Sequence, residues 1–155
     1  DVGCGSGLPV AKFLTGRKFD VIGIDISENM LKLAKKNAPK AKFHKMDMTK
    51  IKFSSKSFDA ITCFYSIIHV PRKYHLKVLE KFHKLLKPKG VLLISVGIGD
   101  SESSIENWLG GKMYWSHFGK KINLQLIRKA GFKINRSRSV GPKNDRHLFV
   151  LAQKI

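Results

Sequence analysis

Apolar residues fall in short runs between polar, lysine-rich stretches, and the period of those runs changes along the chain. FDVIGI at 19–24 and FDAITCFY at 58–65 are nearly continuous apolar blocks of strand length, the pattern of strands buried on both faces. Leu8 to Thr15 reads as a first helix. A second opens at Ser27 as N-cap and runs through Asn37, with Met30, Leu33 and Ala34 at helical spacing and Pro39 beyond its end. Ala41 to Met46 is a weaker strand. Pro71 sits in the first turn of a helix that runs to Leu86 and carries Leu76, Leu79, Phe82 and Leu86 on one face. Pro88-Lys89-Gly90 is a turn, and Val91 to Val96 is a further buried strand. A long segment, Gly97 to Lys120, holds Trp108, Tyr114, Trp115 and His117. Ile122, Leu126 and Ala130 then mark a last helix, closed by Gly131 at the position after its C-cap. Lys133 to Val140 and His147 to Ala152 read as two closing strands. The turn Gly141-Pro142-Lys143-Asn144-Asp145 joins them as an antiparallel hairpin.

Strands that alternate with helices predict an α/β fold, a doubly wound and mostly parallel sheet with helices on both faces. The 155 residues make one domain, 1–155, with 43% hydrophobic residues and no apolar run long enough to cross a bilayer. There is no initiator Met, and the strand that should feed the first loop is cut to Asp1-Val2, so the native protein is expected to extend upstream. Cys4 and Cys63 are the only cysteines and form no disulfide framework, which fits two reduced thiols in a cytoplasmic protein. No metal-ligand spacing is present.

Charge changes the picture further. The formal net charge is +19, which suggests nucleic acid or an acidic surface as partner. Two facts pull the other way. Lysines outnumber arginines 24 to 6, whereas planar recognition of phosphates and bases favours Arg. The lysines are also spread along helix faces, as a heat-adapted surface would have them.

The chemistry begins at residue 1. Asp1-Val2-Gly3-Cys4-Gly5-Ser6-Gly7 sets three glycines at alternate positions behind a carboxylate. Glycine lets the backbone turn sharply out of a strand and lets a ligand approach where a Cβ would stand. Dinucleotide folds use G-x-G-x-x-G, but here the sixth place is Leu8 and the third glycine comes one residue early. Asp25 ends the second strand 18 residues after Gly7, where a carboxylate can accept from both ribose hydroxyls of a nucleotide. The plainer reading is an acid capping the next helix. Asp47-Met48 closes the third strand, and the plainer reading there is a turn acid.

G-x-G-x-G behind an acid, followed in order by Asp25 and Asp47, resembles the class I S-adenosylmethionine-dependent methyltransferases. FDAITCFYSIIH at 58–69, Leu86-Lys-Pro-Lys-Gly90 and Met113-Tyr-Trp-Ser-His-Phe118 are similar to the small-molecule branch of that family, typified by quinone-biosynthesis enzymes. The resemblance covers almost the whole chain. It implies a Rossmann-like sheet of the seven-stranded type with an antiparallel C-terminal strand, its first strand truncated here. It also implies S-adenosylmethionine as cofactor and S-adenosylhomocysteine as product. Asp1, Gly3, Gly5 and Gly7 would hold the methionine part, Asp25 the ribose, and Asp47 and Met48 the adenine, with Cys4, Ile26 and Phe64 also on the cofactor. Tyr65, Tyr114 and Trp115 would wall the substrate, and residues 97–120 would close over it.

His69 and His117 are the candidate general bases, because an imidazole can take a proton from an oxygen or nitrogen nucleophile near neutral pH. The plainer readings are a residue leading into the helix at Pro71 and a surface loop residue. N/D-P-P-Y is absent, which argues against amino methylation of nucleic acid bases by that motif. Cys63 lies inside a strand and reads as a small buried residue. The expected acceptor is a small molecule. RNA is the alternative raised by charge, a non-catalytic cofactor-binding module is another, and an NAD domain is disfavoured by Leu8 and the closing hairpin. The expected assembly is a monomer or homodimer with no membrane association.

Overall fold

In the computed structural model, strands and helices alternate as the apolar pattern requires, through two compact units, Asp1–Lys52 and Phe53–Ile155. The structure describes residues 1–108, 110–142 and 146–155, without the side chains of Glu106 and Trp108. The position of the Trp108 ring and the tip of the closing turn, Lys143 to Asp145, lie outside the described residues.

The first unit holds α1 (Val10–Gly16), β1 (Ile22–Asp25), α2 (Glu28–Asn37) and β2 (Lys42–Lys45). β1 and β2 pair in parallel, and Val2 forms a single parallel bridge to Ile24, the remnant of the strand that precedes the glycine loop. Ala11, Val21 and Ala38 make a small core with Leu14, Ala41 and Phe43 against it. The strand expected over 19–24 starts later, at Ile22, and Phe19 is left 62% exposed. Ser27 caps α2 as expected, its Oγ accepting from the Met30 N–H at 3.3 Å. The buried stripe of α2 is Leu31 and Ala34, whereas Met30 and Leu33 are exposed. The helix is only ten residues long, so a stripe of two residues suffices to seat it and a one-residue error in its phase is invisible in the sequence.

The second unit is a four-stranded sheet in the order β3-β4-β8-β7, from β3 (Phe58–Cys63), β4 (Leu86–Gly97), β7 (Phe132–Val140) and β8 (His147–Lys154). β3 and β4 are parallel, and β8 runs antiparallel to both β4 and β7. One reversed strand in a parallel sheet is the closing arrangement the sequence predicts. α3 (His75–Leu85) buries His75, Val78, Leu79, Phe82 and Leu85. It begins later than Pro71, which instead precedes a 3-10 turn at Arg72–Tyr74. α4 (Lys120–Lys129) ends at Ala130, and Gly131 follows with φ 94°.

One expectation is corrected here, and one segment gains its elements. Pro88-Lys89-Gly90 is no separate turn. β4 starts at Leu86, and the three residues bulge from it where Phe58 pairs Leu86 but Ala60 pairs Val91, with Lys89 at φ 63°. Residues 97–120, where the apolar pattern names no element, hold strands. They fold as an antiparallel pair, β5 (Ser101–Trp108) and β6 (Gly111–His117). The alternation Met113, Trp115, His117 carries the strand period within that segment.

Candidate functional site

The candidate site of the first unit is made of backbone. Gly3, Gly5 and Gly7 all adopt left-handed conformations, with φ of 70°, 51° and 76°. The Gly3 and Cys4 N–H groups both donate to the Ile24 carbonyl, at 2.8 and 3.0 Å, so the loop folds back on β1. Asp25, at the end of β1, completes the brace. One carboxylate oxygen accepts from the Gly5 N–H at 2.9 Å and the other from the Ser27 N–H at 2.8 Å. Asp25 therefore fixes the loop and the start of α2 at once, and each oxygen keeps a second lone pair for a ligand hydroxyl.

Gly7 and Gly5 differ. A Cβ on Gly7 would stand 3.2 Å from the Ala34 Cα, so this glycine lets the loop pack on α2. A Cβ on Gly5 would meet nothing within 4 Å, so the space before it is open to a ligand. That cradle, beside a carboxylate with spare lone pairs, fits a nucleoside ligand carrying ribose hydroxyls. Asp1 accepts the Ile24 N–H at its carbonyl, 2.9 Å. Cys4 is buried, and its thiol is pushed up to about 11 by that burial and by the Asp25 carboxylate, so it stays protonated. Ile26 is 71% exposed immediately after Asp25. Asp47 is exposed and accepts from the Thr49 N–H and hydroxyl, both at 2.8 Å, capping a 3-10 turn that begins at Met48.

The second unit holds a candidate site of its own, made of side chains around a cavity of about 570 Å³. His69 and Trp115 meet on its wall with ring centroids 4.6 Å apart. His69 Nδ1 lies 2.7 Å from the Tyr114 carbonyl, and His117 Nδ1 lies 2.9 Å from the Gly99 carbonyl. A carbonyl only accepts, so each Nδ1 carries its proton, and in the neutral ring Nε2 is left as an acceptor. His117 is seated against Gly97, where any Cβ would collide with the ring. Tyr65 holds φ 50° and is 52% exposed, and its N–H donates to the Ser95 hydroxyl at 2.7 Å. A bulky residue in that conformation is strained, which marks a position kept for its side chain.

The structure thus brings Tyr65, His69, Trp115 and His117 to one cavity. Tyr114 contributes its carbonyl, because strand alternation turns its ring away from the face shared by Met113, Trp115 and His117. Phe64 packs on Phe149 at 5.5 Å. Ser101, Arg146 and His147 also line the cavity and carry no sequence signal, since they come from strand ends far apart in the chain. Arg72 secures the hairpin that supplies part of the wall. Its guanidinium pairs with Asp100 at 2.9 Å and Glu102 at 3.1 Å and lies 4.8 Å from the Phe118 ring centre. The hydrogen bond from Arg72 holds the Asp100 carboxyl below its usual range. Cys63 is fully buried, and its thiol is pushed up to about 11 by burial. Among the described residues there is no metal-binding cluster and no helix long and apolar enough to cross a membrane.

The family profile described as "Methyltransferase domain" matches residues 1–90. The 27-O-demethylrifamycin SV methyltransferase of Amycolatopsis mediterranei is 31% identical over 100 residues, covering 61% of this chain and 36% of that protein. The demethylmenaquinone methyltransferase of Listeria welshimeri is 31% identical over 98 residues, covering 60% of this chain and 39% of that protein. The matches thus span less than two fifths of these curated relatives. An S-adenosylmethionine-dependent methyltransferase from Methanosarcina mazei superposes over 100% of this chain and 91% of its own, with a TM-score of 0.86 at 23% identity, which is a likeness of fold.

Proposed function

We propose a methyl transfer for this chain, which belongs to the methyltransferase domain family. The reading is S-adenosylmethionine-dependent methylation of an oxygen, nitrogen or carbon nucleophile on a small molecule. The two units act as one methyltransferase domain. The observation that carries it is the glycine loop, with three left-handed glycines and an open Gly5 braced by Asp25.

In this reading Asp1, Gly3, Gly5 and Gly7 hold the methionine part of the cofactor, and Cys4 binds the cofactor from the same loop. Asp25 accepts from the ribose hydroxyls beside Ile26. Asp47 and Met48 take the adenine, and Phe64 is assigned to the cofactor as well. When bound, the cofactor supplies an activated methyl on a sulfonium sulfur, open to in-line displacement. The chain's own task is then alignment, exclusion of water and, for a protonated nucleophile, removal of one proton. Tyr65 and Trp115 hold the acceptor's body, with Tyr114 behind them through its carbonyl. His69 Nε2 receives the proton while Nδ1–H stays on the Tyr114 carbonyl, which keeps the tautomer and the ring's direction. His117 is built the same way on the Gly99 carbonyl and is the second candidate.

The test uses labelled S-adenosylmethionine, a whole-cell extract and separation of the label by size and nuclease sensitivity. Label in the low-mass, nuclease-resistant pool is the expected result. Label that leaves a large pool only after RNase would replace the small molecule with RNA, and cofactor binding without any labelled product would mark a binding module. An Asp25→Ala protein that keeps full affinity for S-adenosylhomocysteine would overturn the cofactor assignment.

A further inference from the structure

We propose that the cavity of the second unit takes an acceptor with an anionic group on a planar, aromatic-sized body, and that Arg146 reads the anion with Arg138 behind it. This rests on the methyl-transfer reading above and adds the chemical class of its acceptor.

Charge supplies the first argument. Arg146, His69, His117 and His147 line the cavity, and none of its described lining residues is Asp or Glu. The second argument comes from where the arginines are. The chain has 30 Lys and Arg, of which only 6 are Arg, yet Arg136, Arg138 and Arg146 all belong to the β7–β8 hairpin and the turn before β8. Among the described residues, none of the ion pairs includes them. A guanidinium matches the two oxygens of a carboxylate or the edge of a phosphate, which a lysine does not.

Strand register supplies the third argument. Val140 pairs His147, Arg138 pairs Phe149 and Arg136 pairs Leu151 across the β7–β8 ladder. Directly opposed residues of an antiparallel pair share a face, so both arginines stand on the face of Phe149 and His147. β7 is the outermost strand, and Arg136 and Arg138 are exposed. Tyr65 links that face to the cavity, its ring 4.7 Å from His147 and 5.8 Å from Phe149. Its strained backbone is thereby accounted for, because the left-handed conformation turns an aromatic ring onto the rings of β8. The result is a run of rings with Arg146 at the cavity and Arg138 opposite Phe149, two register pairs beyond His147. A cavity of about 570 Å³ is of small-molecule size, which favours a compact anion over a polymer.

The experiment is calorimetric binding to the full chain in the presence of S-adenosylhomocysteine. The probes are 2-naphthoate against 2-naphthamide and indole-3-acetate against indole-3-acetamide, with Arg146→Gln, Arg146→Lys and Arg138→Gln as variants. The acids are expected to bind about tenfold or more tighter than the amides, the worth of one charge-assisted hydrogen-bonded contact. Arg146→Gln is expected to collapse that ratio while amide affinity and S-adenosylhomocysteine affinity hold. Arg146→Lys should restore part of it. Arg138→Gln should lower the ratio by a smaller, salt-sensitive factor. Equal affinity for acids and amides, a ratio that survives Arg146→Gln, or no binding of either series would overturn the proposal. A single-stranded oligouridylate that displaces naphthoate with steep salt dependence would overturn it in favour of RNA. Loss of S-adenosylhomocysteine binding by the unaltered protein would instead sink the methyl-transfer reading, so the two failures are told apart.

Discussion

The glycine loop of the first unit and the cavity of the second are built from opposite materials. The loop is backbone: three left-handed glycines, two N–H groups on one carbonyl and a single carboxylate that braces it. The cavity is side chain, with imidazoles, a tyrosine, a tryptophan and an arginine drawn from separate strands and turns. A backbone-built site serves a ligand that does not vary, because its geometry needs little beyond glycine at fixed places. A side-chain-built site serves a ligand that varies, because each wall residue can be exchanged without refolding a loop.

Five changes would break or sharpen that contrast. His69→Ala has the largest expected effect, a fall in kcat of about 10²–10⁴-fold with S-adenosylhomocysteine affinity unchanged, read by steady-state kinetics beside calorimetry. An unaltered kcat would move the base to His117. Gly7→Ala comes next. With φ at 76° and Ala34 Cα 3.2 Å from the added Cβ, it should cost about 1–3 kcal/mol in unfolding free energy and weaken cofactor binding. Gly5→Ala shares the strain without the collision, so its loss should fall more on cofactor affinity than on stability.

Tyr65→Gly should do the reverse in the other region. Relief of the left-handed strain would raise stability by about 1 kcal/mol, while acceptor KM rises and the cofactor is bound as before. Thermal unfolding and a KM-against-kcat comparison decide it. The smallest expected effect belongs to pH. His75 is 2% exposed, with Nε2 2.9 Å from the Val70 carbonyl, and burial lowers its pKa from 6.5. The unfolded chain gains that proton below pH 6.5 while the folded chain keeps the ring neutral, so stability should fall as pH drops through that value. His75→Asn should flatten this acid limb of a Tm-against-pH curve; a limb of unchanged slope would assign it to other groups, His83 among them.

Much of the protein was legible before folding. The order of strands and helices, the reversed closing strand, the Ser27 cap and the glycine turn follow from neighbours in the chain, because caps, turns and left-handed glycines are decided within a few residues, whereas the Asp25 brace on Gly5 reaches across 20 residues. Boundaries were less legible. β1 begins three residues after its apolar run does, and α2 seats on Leu31 rather than Met30, since short elements take their phase from what they pack against.

What only the tertiary structure decided is the cavity of the second unit. His69 acquires its tautomer from a carbonyl 45 residues away, Tyr65 is held by Ser95, and Arg146 joins the wall from the turn before β8. Residues 97–120 name no element in sequence because the hairpin they form shows only one alternating strand there. The loop chemistry was written in spacing along the chain, where a few covalent bonds set the geometry. The cavity depends on strand register and on side chains meeting across long separations, and no local pattern encodes either.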